Sequence, residues 1–464
     1  MKRLNTIKSL WIFFVLLRIP YLLLEYPGCI YPDTAGSIEQ FFGYPDFTAQ
    51  LSSSDTSTIL TNHNPVIYTL LYGGTIWAGN LIGSQSIAVF TLITLQMLLH
   101  SWILARLFIL LRPTNKNRKV LTWWNVSILF AALFPIYGFW STLMLKDALF
   151  SIATLWLTLY LLEVVQSNGK LLNDKKFLLR FLSVCFLFML SKNQCFYIVI
   201  LLIAATSLFY RKWRLSATLS ISALLYFLWL HILLPACHVA LSGRQELYGF
   251  AFQQTALYIK QYPTEVEPEE REAISALLPY DSIAALYNPD LQDPVKFRYR
   301  VNASDDDFAR FRWAYIRLMK RHPMVAIQSV WAGCNDYFIP SGRFPLFSPS
   351  FAINEPPCEK FYTMDTLLHP QPSGMNTAMH IPLIGLLFRM GFYIPLSLVG
   401  YLILLIRRKW EASLALFPVF VSIGVLIISP QNGCFRYVMP IIWALPIELL
   451  LIISTPIHKT ATQA

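Results

Sequence analysis

The sequence predicts an all-α polytopic membrane protein. Its expected layout is about ten transmembrane helices, interfacial helices in the first outer loop, and a large extracytoplasmic insertion between the seventh and eighth helices. Three observations predict this. The first is composition: 55% of the 464 residues are hydrophobic and only 14% are charged. The second is run length. Residues 86–111, 148–165, 196–210, 381–406 and 412–429 approach or exceed the roughly 20 apolar residues that cross a bilayer. No soluble core buries so many long, nearly uncharged runs. The third is that basic residues cluster in short segments between the runs, the pattern of the positive-inside rule. The net charge of +11 therefore reflects topology, and a nucleic-acid partner is excluded.

Lys2, Arg3 and Lys8 place the N-terminus in the cytoplasm. No small-residue cleavage site precedes Pro20, so the first apolar run is read as a retained helix over 7–25. It exits outward and delivers Asp33 to the outer face. The first outer loop spans 26–85 and includes a polar stretch, 50–64, rich in Ser, Thr and Asp. Residues 65–83 are apolar enough to cross, but parity argues otherwise. If they crossed, the cluster Arg112, Lys116, Arg118 and Lys119 and every later basic cluster would lie outside. Pro65 and the Gly73-Gly74 pair also weaken this stretch as a straight span, so it is expected to lie along the outer interface.

The second span, 86–111, then runs inward, 121–140 outward and 148–165 inward. Lys170, Lys175, Lys176 and Arg180 lie inside, and 177–190 runs outward to the turn Ser191-Lys192-Asn193-Gln194. Span 196–210 returns to Arg211, Lys212 and Arg214, and 215–234 exits. Residues 1–234 form an N-terminal transmembrane catalytic module. Residues 235–379 carry mixed charge, many prolines and helix-like pieces at 308–320 and 324–331, and read as an extracytoplasmic lid. Residues 380–464 hold the last three spans, with Arg407, Arg408 and Lys409 inside, an outer turn over 430–437, and a cytoplasmic tail with His458 and Lys459. The run 265–272 reads as a solvated face. Of the seven cysteines, none shows metal spacing. A disulfide among Cys29, Cys237, Cys334, Cys358 and Cys434 is left open.

Under this topology four polar clusters meet at the outer ends of helices: Tyr31-Pro32-Asp33, Lys146-Asp147, Lys192-Asn193-Gln194, and Gln431-Asn432 with Arg436. Ionisable groups at membrane level are costly and tend to be functional or paired. Two acids and three bases at one depth suit an anionic, membrane-held ligand such as a sugar on polyprenyl phosphate. Transfer of that sugar needs a carboxylate base, for which Asp33 is the candidate. It needs cations for the departing phosphate, for which Lys146, Lys192 and Arg436 are candidates. Asp147 is a second catalytic candidate, to orient the acceptor. Asp33 and Asp147 are also the candidates for holding a divalent metal ion. His63, Asn193 and Asn432 are candidate substrate contacts. Each residue has a plainer reading. Asp33 suits an N-cap of a helix over 34–42, Asp147 a cap or a surface pair with Lys146, Lys192 a snorkelling chain, and Arg436 a headgroup anchor. Arg18, His100 and Arg389 read as packed partners or snorkelling chains.

The order of these motifs resembles the GT-C superfamily of membrane glycosyltransferases, which includes protein O-mannosyltransferases, the aminoarabinose transferase and oligosaccharyltransferase catalytic subunits. An acid follows the first helix, here Asp33. A His/Pro segment follows, here Asn62-His63-Asn64-Pro65-Val66-Ile67-Tyr68. A second acid lies in the next outer loop, here Asp147 in Leu145-Lys146-Asp147-Ala148-Leu149-Phe150. The turn Asn432-Gly433-Cys434-Phe435-Arg436-Tyr437 looks like one in a group of bacterial membrane proteins placed near this superfamily. The resemblance covers residues 10–165 best. It implies inverting transfer, at the outer face of the plasma membrane, from a polyprenyl-phosphate sugar to an extracytoplasmic glycan, lipid or protein acceptor, with membrane lipids around the spans. Many members carry paired acids in the first loop. Here Thr34 follows Asp33, which leaves metal binding and donor type open. The competing readings are a lipid-linked oligosaccharide transporter or flippase, an O-antigen-type polymerase or ligase, and a non-catalytic envelope assembly protein. Transporters favour inverted repeats and midplane charges, and neither is visible here.

Overall fold

With no water available, a backbone satisfies its own N–H and C=O groups only as a helix or a closed barrel, and this chain is built of helices. The computed structural model describes residues 4–52, 58–113, 117–343, 346, 381, 383–428 and 431–454. Five helices are long and apolar enough to cross a membrane: Ile7–Leu24, Gln85–Leu110, Lys146–Gln166, Trp213–Ala236 and Phe435–Ile453. Arg118–Leu133 and Pro135–Ser141 make a sixth if read together, bent by 52°. The bend has a local cause. Pro135 disfavours helical backbone in the residue before it, and Phe134 is extended at φ −68°, ψ 117°. The chain is thus membrane-embedded and helical. The other spans expected from sequence fall on shorter helices, Lys175–Ser191, Cys195–Phe209, Met390–Ile406 and Phe417–Ile428.

Residues 65–83 fold as Val66–Tyr68, a π turn over Thr69–Gly73, and Gly74–Leu81. This helix, helical throughout its π turn, packs on Gln85–Leu110 and on Pro32–Phe41. The approach to Pro32–Phe41 needs a glycine, because a Cβ at Gly73 would lie 2.1 Å from Phe41 Cβ. The main core joins the long helices around Trp124, Trp140 and Trp443. Within it Arg18 donates to Ser101 Oγ at 2.6 Å, and His100 stacks on Trp443 with ring centroids 3.8 Å apart. Both are packed partners. Arg389 donates to the Gly342 carbonyl at 2.8 Å.

A second core belongs to the insertion. Helices Gln245–Gln261, Pro268–Ser275, Tyr280–Leu286 and Asp305–Arg321 enclose Phe252, Ile274, Phe308, Phe311 and Leu318. The run 265–272 is largely the solvated face expected, and Glu270 is the exception. Glu270 is fully buried and accepts from Arg317 Nε at 3.0 Å and Arg321 Nη2 at 2.9 Å. It is the internal anchor of this domain, because its partners come from Asp305–Arg321, which sequence periodicity alone does not bring near. The described cysteines Cys29, Cys185, Cys195, Cys237, Cys334 and Cys434 are free thiols. Cys358, Lys116, Pro430, His458 and Lys459 lie outside the described residues.

Candidate active site

The site is organised by a very small sheet. Cys29–Ile30 pairs in parallel with Leu143–Met144, with Ile30 opposite Met144. Each strand runs straight into a helix, Pro32–Phe41 or Lys146–Gln166. Asp33 and Asp147 both stand three residues beyond the paired position, so the register sets them side by side. Thr34 Oγ1 donates to the Met144 carbonyl at 2.6 Å and fixes the pairing. Pro32 opens its helix at a position where its missing N–H is not needed. Both carboxylates lie in first turns, where the helix dipole favours negative charge.

One cation, Lys146, opens the same helix as Asp147, and the other two arrive from elsewhere in the chain. Lys146 Nζ lies 3.0 Å from Asp33 Oδ2 and also donates to Asn64 Oδ1. Arg436, in the single 3₁₀ turn Phe435–Tyr437, reaches the same Asp33 oxygen at 2.7 Å. Its Nε lies 3.9 Å from Asp147 Oδ2. Lys192 follows directly after Lys175–Ser191 and donates to Asp147 Oδ1 at 2.7 Å. Its Nζ also sits 4.3 Å from the Tyr437 ring centroid and 5.2 Å from that of Phe150. The surface pair considered for Lys146 and Asp147 is replaced by a crossed arrangement, in which Lys146 serves Asp33 and Lys192, from a third segment, serves Asp147. Asp33 is not a cap, because the N-cap of its helix is Tyr31.

The two acids differ in access. The Asp33 side chain keeps 29% of its surface open, whereas Asp147 keeps none. Burial pushes the Asp33 carboxyl upward, but Lys146 and Arg436 outweigh it and hold the group well below the usual carboxylate range. Asp33 is therefore ionised throughout the physiological range. Burial lowers His63, with Lys146 and Lys296 adding to that and Glu246 opposing, so its imidazole is neutral at pH 7.

The remaining expected contacts take supporting places. Asn193 donates to the Asn62 carbonyl at 2.8 Å and accepts from Asn62 Nδ2 at 3.1 Å, which ties Lys192's turn to the His63 segment. His63 itself faces the insertion, 3.7 Å from Glu246. Asn432, expected to touch substrate, is committed elsewhere. Its amide nitrogen donates to Asp290 Oδ1, the Ala332 carbonyl and Asn335 Oδ1 at 2.9–3.1 Å, and its oxygen accepts from the Asp336 N–H at 3.1 Å. Its hydrogen bonds pin the Arg436 turn to the insertion. A cavity of about 430 Å³ lies at this same junction, lined by Asp290, Asn335, Asp336, Ser341 and Arg343.

Tyr68 and Tyr72 escaped the sequence reading. Tyr68 Oη donates to the carbonyls of Lys146 and Ser191 at 3.2 and 3.0 Å and stacks on Tyr72. Their signal was the aromatic spacing of four, which reads equally well as plain helix packing. Tyr72 Oη and Asp147 Oδ2 are both buried without a hydrogen-bond partner.

Three cations against two carboxylates leave an excess of positive charge. With two helix N-termini beside it, the arrangement suits an anion such as phosphate. It does not suit a divalent metal, which takes ionised oxygens free of competing cations. Here both acids are already engaged by lysine and arginine, and the described residues hold no group of three or more His, Cys, Asp or Glu side chains placed for an ion. A search of the curated proteins and of the solved structures finds no match to this chain. The family match begins after Asp33 and takes in His63, Lys146, Asp147, Lys192, Asn193, Asn432 and Arg436. It extends over residues 46–464, and the chain therefore belongs to the family of unknown function DUF6020.

Proposed function

We propose that the chain is a membrane glycosyltransferase of the GT-C type, moving a sugar from a polyprenyl-phosphate donor to an extracytoplasmic glycan, lipid or protein acceptor. This reading takes the five long helices, the bent pair, the three shorter apolar helices and Lys175–Ser191 as about ten spans, with the site at the outer face of the plasma membrane and both termini inside. One observation carries it: Asp33, Lys146, Asp147, Lys192 and Arg436 come from four separate chain segments and meet in one ion-pair network with surplus positive charge. An ordinary structural pair needs one partner. Asp33 has two on a single oxygen.

The chemistry follows from that network. The acceptor hydroxyl attacks the anomeric carbon and a new C–O bond forms. The bond from that carbon to the phosphate oxygen breaks, and its electron pair leaves with the phosphate. The hydroxyl proton passes to Asp33, and attack opposite the leaving group inverts the anomeric centre. Lys146 and Arg436 neutralise Asp33 in the free site and turn to the phosphate when it enters. That exchange strips Asp33 of the charges that depress its basicity, so the carboxylate becomes a better base once donor is bound. Lys192 stays with buried Asp147 and adds its field to the phosphate. No metal is required, because the cations supply the leaving-group stabilisation.

The test is Asp33→Asn, purified after normal membrane insertion and assayed against a panel of labelled polyprenyl-phosphate hexoses and pentoses. Loss of general-base assistance lowers transfer by about 10²–10⁴-fold. Undiminished transfer would remove Asp33 as the base.

A further inference from the structure

The insertion carries an apolar face that its own core does not use. On helix Pro323–Ala332, Met324, Ile327 and Trp331 recur at helical spacing, and they are 57%, 59% and 51% exposed. The opposite side of the same helix is occupied, since Val325 and Ser329 are buried. On Asp305–Arg321, Trp313 and Ile316 are likewise exposed, with exposed Lys320 one turn further along the same stripe. These two helices pack on each other. Single exposed apolar residues need no explanation, but a run on adjoining helices does.

What lies next to this face identifies its partner. Helix Pro323–Ala332 packs against Phe417–Ile428, one of the apolar helices of the membrane region. Val330 is packed on the main transmembrane core, and Trp331 stacks on Phe338 with centroids 6.4 Å apart. At that end Ile427 and Ile428 are themselves outward-facing. The exposed apolar residues, with Gln328 among them, thus sit on a helix that adjoins an apolar helix of the membrane region. Tryptophan at the edge of such a stripe and a lysine beyond it are the residue types that settle at headgroup level.

We propose that Pro323–Ala332, with Trp313 and Ile316 beside it, lies in the interface of the outer leaflet, its Met324/Ile327/Trp331 face among lipid and its Lys320 end toward anionic headgroups. The insertion then rests on the bilayer and is not held up in water. The proposal stands apart from the transfer chemistry.

The experiment uses the full chain in vesicles of phosphatidylcholine and phosphatidylglycerol in equal parts. Cys237, which is exposed, is replaced by serine, as is Cys358, and nitroxides are attached singly at Met324→Cys, Ile327→Cys and Trp331→Cys. Control labels go at Glu269→Cys and Asp306→Cys, both on exposed polar positions. All are surface sites, so folding is not at stake. Collision with oxygen is compared with collision with a water-soluble nickel chelate. The expected result is an oxygen-to-nickel ratio above one at the three apolar positions and below one at the two controls. Ratios below one at all five sites would overturn the proposal. So would labels at 324, 327 and 331 that are shielded from both reagents and show spin–spin broadening rising with protein density, since a second copy would then cover the face.

Discussion

Replacing Lys192 by methionine should destabilise the protein more than removing the acid it serves. Methionine is one atom shorter and keeps an apolar stem, but the ammonium over the Tyr437 and Phe150 rings is gone and Asp147 loses the partner 2.7 Å from Oδ1. Asp147 has no exposed surface, and breaking a buried pair by removing one partner leaves an uncompensated charge at about 3–5 kcal/mol. Two features reduce this. Lys192 keeps 15% of its surface, and Arg436 remains 3.9 Å from Asp147 Oδ2. At an effective dielectric of about 20, the attractions at 2.7 and 3.9 Å are about 6 and about 4 kcal/mol before desolvation. The remaining arginine therefore retains much of the field, and a loss of about 2–4 kcal/mol is expected. Asp147→Asn leaves a lysine that still has ring faces and some water, and should lose only about 1–2 kcal/mol. The double variant Lys192→Met/Asp147→Asn should lose less than the sum, with a coupling of at least about 1 kcal/mol. Steric trapping in bicelles measures all three. Additive losses, or a lysine variant no weaker than the aspartate variant, would refute the reasoning that burial of Asp147 governs this pair.

Other outcomes follow from the same geometry. Arg436→Lys keeps the charge but loses the planar fork between Asp33 and Asp147, so kcat/KM for transfer should fall by about tenfold or somewhat more, about 1–2 kcal/mol. An unchanged rate would reduce Arg436 to a point charge. Asn432→Ala should loosen the junction by about 1–3 kcal/mol, since Asp290, Asn335 and Asp336 lose their shared partner. Hydrogen exchange should quicken at residues 335–337, whereas a raised donor KM with unchanged exchange would make it a substrate contact after all. His63 is held below its ordinary value of about 6.5. The folded state thus binds fewer protons than the unfolded one. Stability is full above that pH and is lost as pH falls below it, by up to about 1.4 kcal/mol per pH unit. His63→Gln should flatten this part of the stability profile, and an unaltered slope would place the titration elsewhere.

What was legible in the sequence was what charge and hydropathy encode. Long apolar runs separated by basic clusters predicted helices, and five to six of those helices stand long enough to cross. Acids and bases at helix ends predicted Asp33, Asp147, Lys192 and Arg436, and these do meet. Partner choice was not legible. Lys146 and Asp147 are adjacent in sequence, yet neighbours in a helix's first turn point to different sides, so Lys146 reaches Asp33 and Asp147 is left for Lys192. The two-residue strands that create this crossing are too short to leave a period-2 signal. Asn432 misled for a related reason. A turn-forming Asn-Gly beside an arginine reads as part of a site, and only the fold of the insertion shows that Asp290, Asn335 and Asp336 claim its amide. Glu270 misled because its arginines lie more than a helix away along the chain.

The crossed pairing bears on why one acid and not the other is proposed as base. Both carboxylates follow the same small sheet by the same number of residues, so position alone does not separate them. Access does. Asp147 is enclosed, its Oδ1 held by Lys192 and its Oδ2 facing Arg436. A proton delivered there would have to break a buried pair, which makes it a poor acceptor and a good fixed charge. Asp33 is partly open, and both of its partners sit on one oxygen, Oδ2. Its two cations are also the groups best placed to meet an incoming phosphate, being a lysine and an arginine fork on the same spot. On the proposed reading, an anion that draws them away raises the basicity of Asp33 as the acceptor hydroxyl is to be deprotonated. In the absence of an anion the same contacts keep the surplus positive charge of the mouth partly neutralised, which stabilises the empty site. The roles proposed for the two acids thus follow from which lysine each receives, once the register of Ile30 on Met144 has set the acids side by side.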